Sequence, residues 1–283
     1  MDLRLKGKIV VVSGSAGKAG SIGESIVNQL ADEGAIPVLV DRNSRGFGYA
    51  EALQKKGIDS LFIQTDVTDP VQMENAVQKI AEKYGKIDVV INNAGVGITG
   101  PIEEIPTEEI RNNFETNLFG PIEVMKAALP QMRMQKSGLI INITSIAGYM
   151  GLPYRGIYSA SKGALELITE ALRMEVKSFG IQITNVAPGD FATNIAAGRY
   201  HAPVIKGSAY ELSYGNTLKE MDSHVDSGSN PNEMAAAIYT IIQTKSPKVH
   251  YKVGAFMQKF SIVLKRILPD VIYEKMLMNH YKL

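Results

Sequence analysis

Short apolar, β-branched runs recur along the chain at residues 8–12, 36–40, 60–64, 87–91, 138–144 and 181–186, each bounded by Gly, Asp or Asn, and 249–253 reads as a seventh. Longer segments lie between them, among them 22–33 and 71–84, whose apolar residues fall three and four apart. That spacing predicts helices with one buried face, and strands alternating with such helices form βαβ units. Their crossovers are right-handed and lay helices on both faces, so the expected fold class is α/β: a doubly wound parallel sheet of about seven strands. One domain is expected over residues 1–253, followed by a helical extension over 254–283.

Composition changes this picture little. The 283 residues are 45% hydrophobic and 21% charged, ordinary for a globular chain with a substantial core. The net charge of +1 gives no reason to expect nucleic acid as a partner. It hides an asymmetry, because residues 245–283 hold eight Lys or Arg against Asp270 and Glu274, a local +6 that leaves −5 for the rest. The absence of cysteine excludes disulfides and thiolate chemistry, and no metal site is expected. The first residues lack the apolar run of a signal peptide, and no stretch of about 18 uncharged apolar residues is present, so a cytoplasmic location is expected.

In open parallel sheets ligands bind at the carboxyl ends of the strands. After the first run comes Ser13-Gly14-Ser15-Ala16-Gly17-Lys18-Ala19-Gly20-Ser21-Ile22-Gly23, which also opens the first helix. Glycines there let the backbone approach a pyrophosphate, whose charge the helix N-terminus favours. By itself such a loop is weak evidence, since a flexible strand-to-helix turn is the alternative. Eighteen residues past Gly23, at the end of the second run, stands Asp41, close to the offset at which an acid binds an adenosine ribose. A carboxylate there repels a 2′-phosphate and favours NAD over NADP, a preference that Arg42 and Lys18 would soften.

Tyr158 and Lys162 are four residues apart in a helical segment and share one face. A fixed positive charge beside a phenol favours its phenolate and brings it toward proton exchange with a substrate hydroxyl. Ser145, at the end of the fifth run, carries a hydroxyl able to hold a substrate oxygen. Each feature alone has a bland reading, as a surface pair or a turn residue.

Together these pieces resemble the short-chain dehydrogenase/reductase family, with its Rossmann-like fold, over roughly residues 5–253. The matching pieces are the glycine loop, Asp41, Asp66-Val67, Asn92-Asn93-Ala94-Gly95, Asn117, Ser145, the Tyr158/Lys162 pair, and Pro188-Gly189 with Thr193. The resemblance implies that Tyr158 is the general acid in reduction and the base in oxidation. Lys162 would lower its pKa and bind the nicotinamide ribose, Ser145 would orient the substrate carbonyl, and Asn117 would hold a water of the proton relay. Gly14, Ser21, Ile22 and Gly23 would face the pyrophosphate, Asp41 and Arg42 the ribose, and Asp66 and Val67 the adenine. Asn93, Ala94 and Gly95 would line the cofactor, and Pro188, Gly189, Phe191 and Thr193 would seat the carboxamide. The resemblance also implies a homodimer or homotetramer.

Two departures stand out. The family's first and last loop glycines are six apart, whereas Gly14 and Gly23 are nine apart, and Ser21 takes the middle position. The second is the tail, where Phe256, Phe260, Val263, Leu264, Ile267, Leu268 and Val271 form a helical stripe broken near Pro269. It reads as a helix packed on the sheet or another subunit, as an interfacial helix flanked by Lys259, Lys265, Arg266 and Lys275 on anionic lipid, or as a lid over an apolar substrate. Such a tail is similar to that in hydroxysteroid and retinol dehydrogenase branches. Residues 191–230, with Tyr200, Tyr210 and Tyr214, would cover the substrate, and Met150, Leu152, Pro153 and Tyr154 would line its pocket. The expectation is a small apolar alcohol or ketone: a steroid, retinoid or long-chain lipid. A 3-oxoacyl thioester reductase, favouring NADPH and a basic entrance, is the alternative, and a dinucleotide-binding scaffold without turnover is the alternative of another class.

Overall fold

The computed structural model describes residues 5–17, 19–191, 199–224 and 228–283. Its sheet is built from β1 (Ile9–Ser13), β2 (Ile36–Asp41), β3 (Leu61–Gln64), β4 (Val89–Asn92), β6 (Gly138–Ile143), β7 (Ile181–Pro188) and β9 (His250–Val253). All pair in parallel, in the order β3-β2-β1-β4-β6-β7-β9. This is the doubly wound Rossmann-like sheet that the alternating runs predict. Strand order reverses between β1 and β4, which opens a crevice at their carboxyl ends.

Helices α1 (Ile22–Asp32), α2 (Arg45–Lys55) and α8 (Pro231–Gln243) cover one face, through Ile26, Leu30, Leu53 and Ile238 among others. Helices α3 (Pro70–Tyr84), α5 (Gly120–Gln135) and α6 (Gly156–Glu175) cover the other, through Ile80, Met125, Met132 and Leu165. Strand residues alternate between the two layers: Val10 and Val12 face the first, Ile9 and Val11 the second. Local signals set the helix ends. Ser21 accepts the Glu24 N–H at 3.2 Å while the Glu24 carboxylate accepts the Gly20 N–H at 2.5 Å, a reciprocal cap that starts α1. Asp69 caps α3 at Val71 and Gln72, and Gly85 at φ 74° ends it.

The strand ends differ from the sequence expectation by one or two residues. Two features went unanticipated in the segment expected to cover the substrate. Helix α7 (Glu211–His224) runs through it, and the two-residue strands β5 (Ile98–Thr99) and β8 (Tyr200–His201) pair there. Strands of two residues carry no period to detect, and α7 packs through Tyr214 and Thr217 rather than an aliphatic stripe.

Candidate active site

A cleft of about 410 Å³ opens at the switch point, bordered by the ends of β1, β2, β3, β4 and β6. From the glycine loop and the start of α1 it takes Gly14, Ser21, Ile22 and Gly23, and from the next strand ends Asp41, Arg42, Asp66 and Val67. Asn93, Ala94 and Gly95 form its floor, with Tyr158, Lys162 and Pro188 at the far end. The glycines are steric necessities. Gly14 has φ +63°, and a Cβ on it would lie 2.7 Å from the Ala94 Cα; a Cβ on Gly23 would lie 2.4 Å from the Gly14 carbonyl oxygen. The Asn93 amide donates to the carbonyls of Ser13 and Gly14, both at 3.0 Å, while the Ser13 hydroxyl accepts the Asn93 and Ala94 N–H groups at 3.1 Å. The segment after β4 thus pins the start of the glycine loop.

The lengthened loop is tied down from the end of β2 and the start of α2. The Asp41 carboxylate accepts the Ala16 N–H at 2.8 Å and the Asn43 N–H at 2.9 Å. Arg45 donates to the Gly17 carbonyl at 2.5 Å. Lys18 lies outside the described residues.

At the other end of the cleft the polar groups are buried and paired. Asn117 sits in a π-helical turn, Glu115–Phe119, between α4 (Thr107–Phe114) and α5. Its carboxamide clamps the loop after β4: Oδ1 accepts the Val96 N–H at 2.9 Å and Nδ2 donates to the Val96 carbonyl at 2.9 Å. Pro121 stands where an α-helix would supply the N–H partner of the Asn117 carbonyl, and proline has none. Lys162 is fully enclosed and donates to the Ile143 carbonyl at 3.0 Å. Burial pushes its ammonium down to about 8, with negative Glu166 opposing. A Cβ on Gly95 would lie 3.2 Å from both Lys162 Nζ and Asn117 Oδ1, so glycine there lets the two converge. Tyr158 is half-buried, with the Arg155 guanidinium 5.4 Å from its ring centroid.

A family profile described as short chain dehydrogenase matches residues 4–203. The chain belongs to that family. It is 36% identical over 265 residues to a 3-ketodihydrosphingosine reductase of Bacteroides thetaiotaomicron, covering 93% of this chain and 94% of that one. It is 34% identical over 234 residues to the ketoacyl reductase HetN of Nostoc, covering 80% of each. Among solved structures, a short-chain dehydrogenase from Streptomyces avermitilis superposes with a TM-score of 0.80 at 27% identity, over 98% of this chain and 96% of that one. This short-chain dehydrogenase is therefore an oxidoreductase of CH–OH groups, with NAD or NADP as cofactor.

The residues present fit such a dinucleotide. The α1 N-terminus faces the cleft through Ser21, Ile22 and Gly23; the Gly14 and Gly23 positions admit no side chain; and the Ser15 hydroxyl beside them is buried without a partner among the described residues. When bound, the cofactor supplies or accepts the hydride.

Four other residues named from the sequence, Asn117, Ser145, Gly189 and Phe191, are not among those that line this cleft. Asn117 lies behind its floor. The Ser145 hydroxyl accepts the Ala147 N–H at 3.1 Å and caps the 3-10 turn Ile146–Tyr149. The Gly189 N–H donates to Val253 at 2.8 Å, and a Cβ on Gly189 would lie 2.0 Å from Gln258 Oε1. Phe191 packs with Met234 and Ile238 in the first core layer. Thr193 lies outside the described residues.

Sequence reasoning missed a polar hub behind Lys162. Glu166 is buried one turn further along α6 and accepts from the hydroxyls of Thr144 and Tyr149, the Asn185 amide at 3.1 Å and His250 at 2.8 Å. His250 also meets Glu170 at 3.0 Å. The carboxylate joins β6, β7 and β9 to the helix that carries Tyr158 and Lys162. Its only sequence signal is an acid four residues past Lys162, on the same helix face.

Two apolar clusters flank Ser145 and Tyr158. Ile146, Met150 and Leu152 pack against Ile262, Leu264, Tyr273 and Leu277 of α9 (Phe256–Ile267) and α10 (Asp270–Tyr281). Tyr154, Tyr158, Tyr210 and Tyr214 gather with Ile98 and Leu218. The end of α10 reaches this region: Thr217 donates to the Tyr281 carbonyl at 3.2 Å, and burial pushes the Tyr281 phenol up, opposed by Arg155. Arg155 and Arg199 border the same cleft as Tyr158. Of the three readings of the tail, the packed helix is the one these contacts describe: its inner side lies on residues 146–152 and on Ala187 of β7. Gln258 of α9 holds the strand end, accepting the Asp190 N–H at 3.2 Å and donating to its carboxylate at 2.7 Å. No helix among the described residues is long and apolar enough to cross a membrane.

Proposed function

We propose that this chain reduces the keto group of a long-chain lipid, of the 3-ketodihydrosphingosine kind, to a secondary alcohol. The carrying observation is the apolar wall beside Ser145, closed by α9 and α10, in a chain of which 93% aligns with the Bacteroides reductase. Tyr158 donates the proton to the carbonyl oxygen, and Ser145 orients that oxygen. Lys162, held by the Ile143 carbonyl, keeps its positive charge beside the phenol as the proton leaves. Asn117 holds a relay water through its main-chain carbonyl, since its side chain is engaged with Val96. Gly14, Ser21, Ile22 and Gly23 cradle the pyrophosphate, Asp66 and Val67 the adenine, and Asn93, Ala94, Gly95, Pro188, Gly189 and Thr193 the nicotinamide half; Phe191 supports them from the core. Asp41 favours NADH by repelling a 2′-phosphate, and the enzyme works as a homodimer or homotetramer.

The two guanidiniums of Arg155 and Arg199 in the cleft with Tyr158 favour a second reading, a 3-oxoacyl thioester whose carrier phosphates they meet. Titration with NADH and NADPH, followed by nicotinamide fluorescence, tests the cofactor. Reduction of 3-ketodihydrosphingosine against a 3-oxoacyl-CoA then tests the substrate. Tighter NADH and turnover of the sphingoid ketone are expected. Preference for the thioester would move the assignment to the second reading, and binding of neither cofactor would leave a scaffold without turnover.

A further inference from the structure

Helix α9 buries Ile262 alone. Phe256, Phe260, Val263 and Ile267, spaced four, three and four apart, share one side turned well away from Ile262 and are 72, 37, 43 and 68% exposed. The Phe256 and Phe260 rings stack at 5.7 Å, and Val271 and Ile272 of α10 extend the exposed apolar surface. A step of about 100° per residue puts Lys259 and Arg266 together on one flank of that stripe. Lys265 is turned elsewhere and pairs with Asp270 at 2.8 Å. Helix α9 contains no Asp or Glu. An antiparallel two-fold contact between copies through this stripe would bring the Lys259 and Arg266 flank of one copy against that of the other, cation against cation. Anionic headgroups supply the missing charge, and the acyl boundary beneath them accepts the rings.

We propose that α9 and the start of α10 form a docking surface for an anionic phospholipid bilayer. The Phe256, Phe260, Val263 and Ile267 stripe enters the headgroup boundary, and Lys259 and Arg266 meet lipid phosphates. The inner side of the same two helices packs on Ile146 and Met150 beside Ser145, so docking sets the substrate region against the bilayer where a long-chain ketone partitions. Only that last consequence rests on the lipid-ketone reading.

The test is sedimentation of the full chain with vesicles of phosphatidylglycerol and phosphatidylcholine, and with phosphatidylcholine alone, free of substrate and cofactor. Binding to the anionic vesicles that weakens with salt is expected. Lys259→Glu/Arg266→Glu should lower partitioning at least about tenfold, and Phe256→Ser/Phe260→Ser should abolish it while cofactor fluorescence shows each variant folded. Absence of binding, or equal binding by the variants, overturns the proposal. So does a chromatographic dimer that Phe256→Ser/Phe260→Ser dissociates, which would assign the stripe to a second copy. Vesicle binding without sphingoid-ketone turnover sinks the substrate reading alone; turnover of dispersed substrate without vesicle binding sinks the docking surface alone.

Discussion

Helices α6 and α9 each invert the usual amphipathic rule, in opposite directions. Helix α6 buries polar groups that a helix ordinarily shows to water: Ser159, Ser161, Lys162, Glu166 and Thr169. Helix α9 shows to water the rings and branched chains that a helix ordinarily hides. A buried charge costs free energy unless it is paired, and the partners around Lys162 and Glu166 supply that pairing. An exposed apolar stripe costs little in folding and is retained without compensation inside the chain. An inverted helix whose buried charges are paired from within marks chemistry, and one whose apolar groups are left over marks a surface that meets something else.

The largest expected effect tests the chemical half of that contrast. Tyr158→Phe should lower turnover by about 10²- to 10⁴-fold with NADH affinity unchanged, and steady-state rates beside a fluorescence titration would show a mistaken assignment as unaltered kcat. Glu166→Ala leaves Thr144, Tyr149, Asn185 and His250 facing an empty site, so urea unfolding should report a loss of about 3–5 kcal/mol. A loss under 1 kcal/mol would mean the hub is not holding the strands to α6.

Lys162 gives a pH signature. Its folded pKa of about 8 lies below its ordinary 10.5, so between those values the unfolded chain binds the extra proton and stability rises with pH. That contribution is complete above pH 10.5 and lost as pH falls through 8. Relative to Lys162→Met, the cofactor-free protein should gain about 3 kcal/mol across the window, and parallel unfolding curves for the two would argue against a desolvated ammonium. The smallest effect belongs to α9: Ile267→Ser should shift stability by no more than about 0.5 kcal/mol. A cost of 2 kcal/mol or more, on the scale of a core deletion of about 2–5 kcal/mol, would mean the stripe packs against the chain itself.

The strand and helix pattern was legible because β-branched runs and helical spacing are local, and the capping residues Ser21 and Asp69 speak for themselves. The grouping of Asp41, Asn93, Tyr158 and Lys162 around one cleft was legible for a related reason. A parallel sheet brings the carboxyl ends of its strands together, so residues after each strand converge whatever the intervening lengths. Glu166 and His250 stayed hidden because they are 84 residues apart and neither belongs to a motif. Gln258 meets Gly189 for a comparably distant reason: β9 must first pair with β7 before α9 lies over that strand end.

Sequence by itself determined the alternation of elements, the sheet class, the glycine loop and the Tyr158/Lys162 spacing, all set by interactions within a few residues. Tertiary structure alone decided that Lys162 loses its water and Glu166 gathers four donors. It also decided which side of α9 packs on Ile146 and Met150 and which faces outward. Burial and pairing are sums over neighbours from every layer, and no segment carries that sum in its own residues.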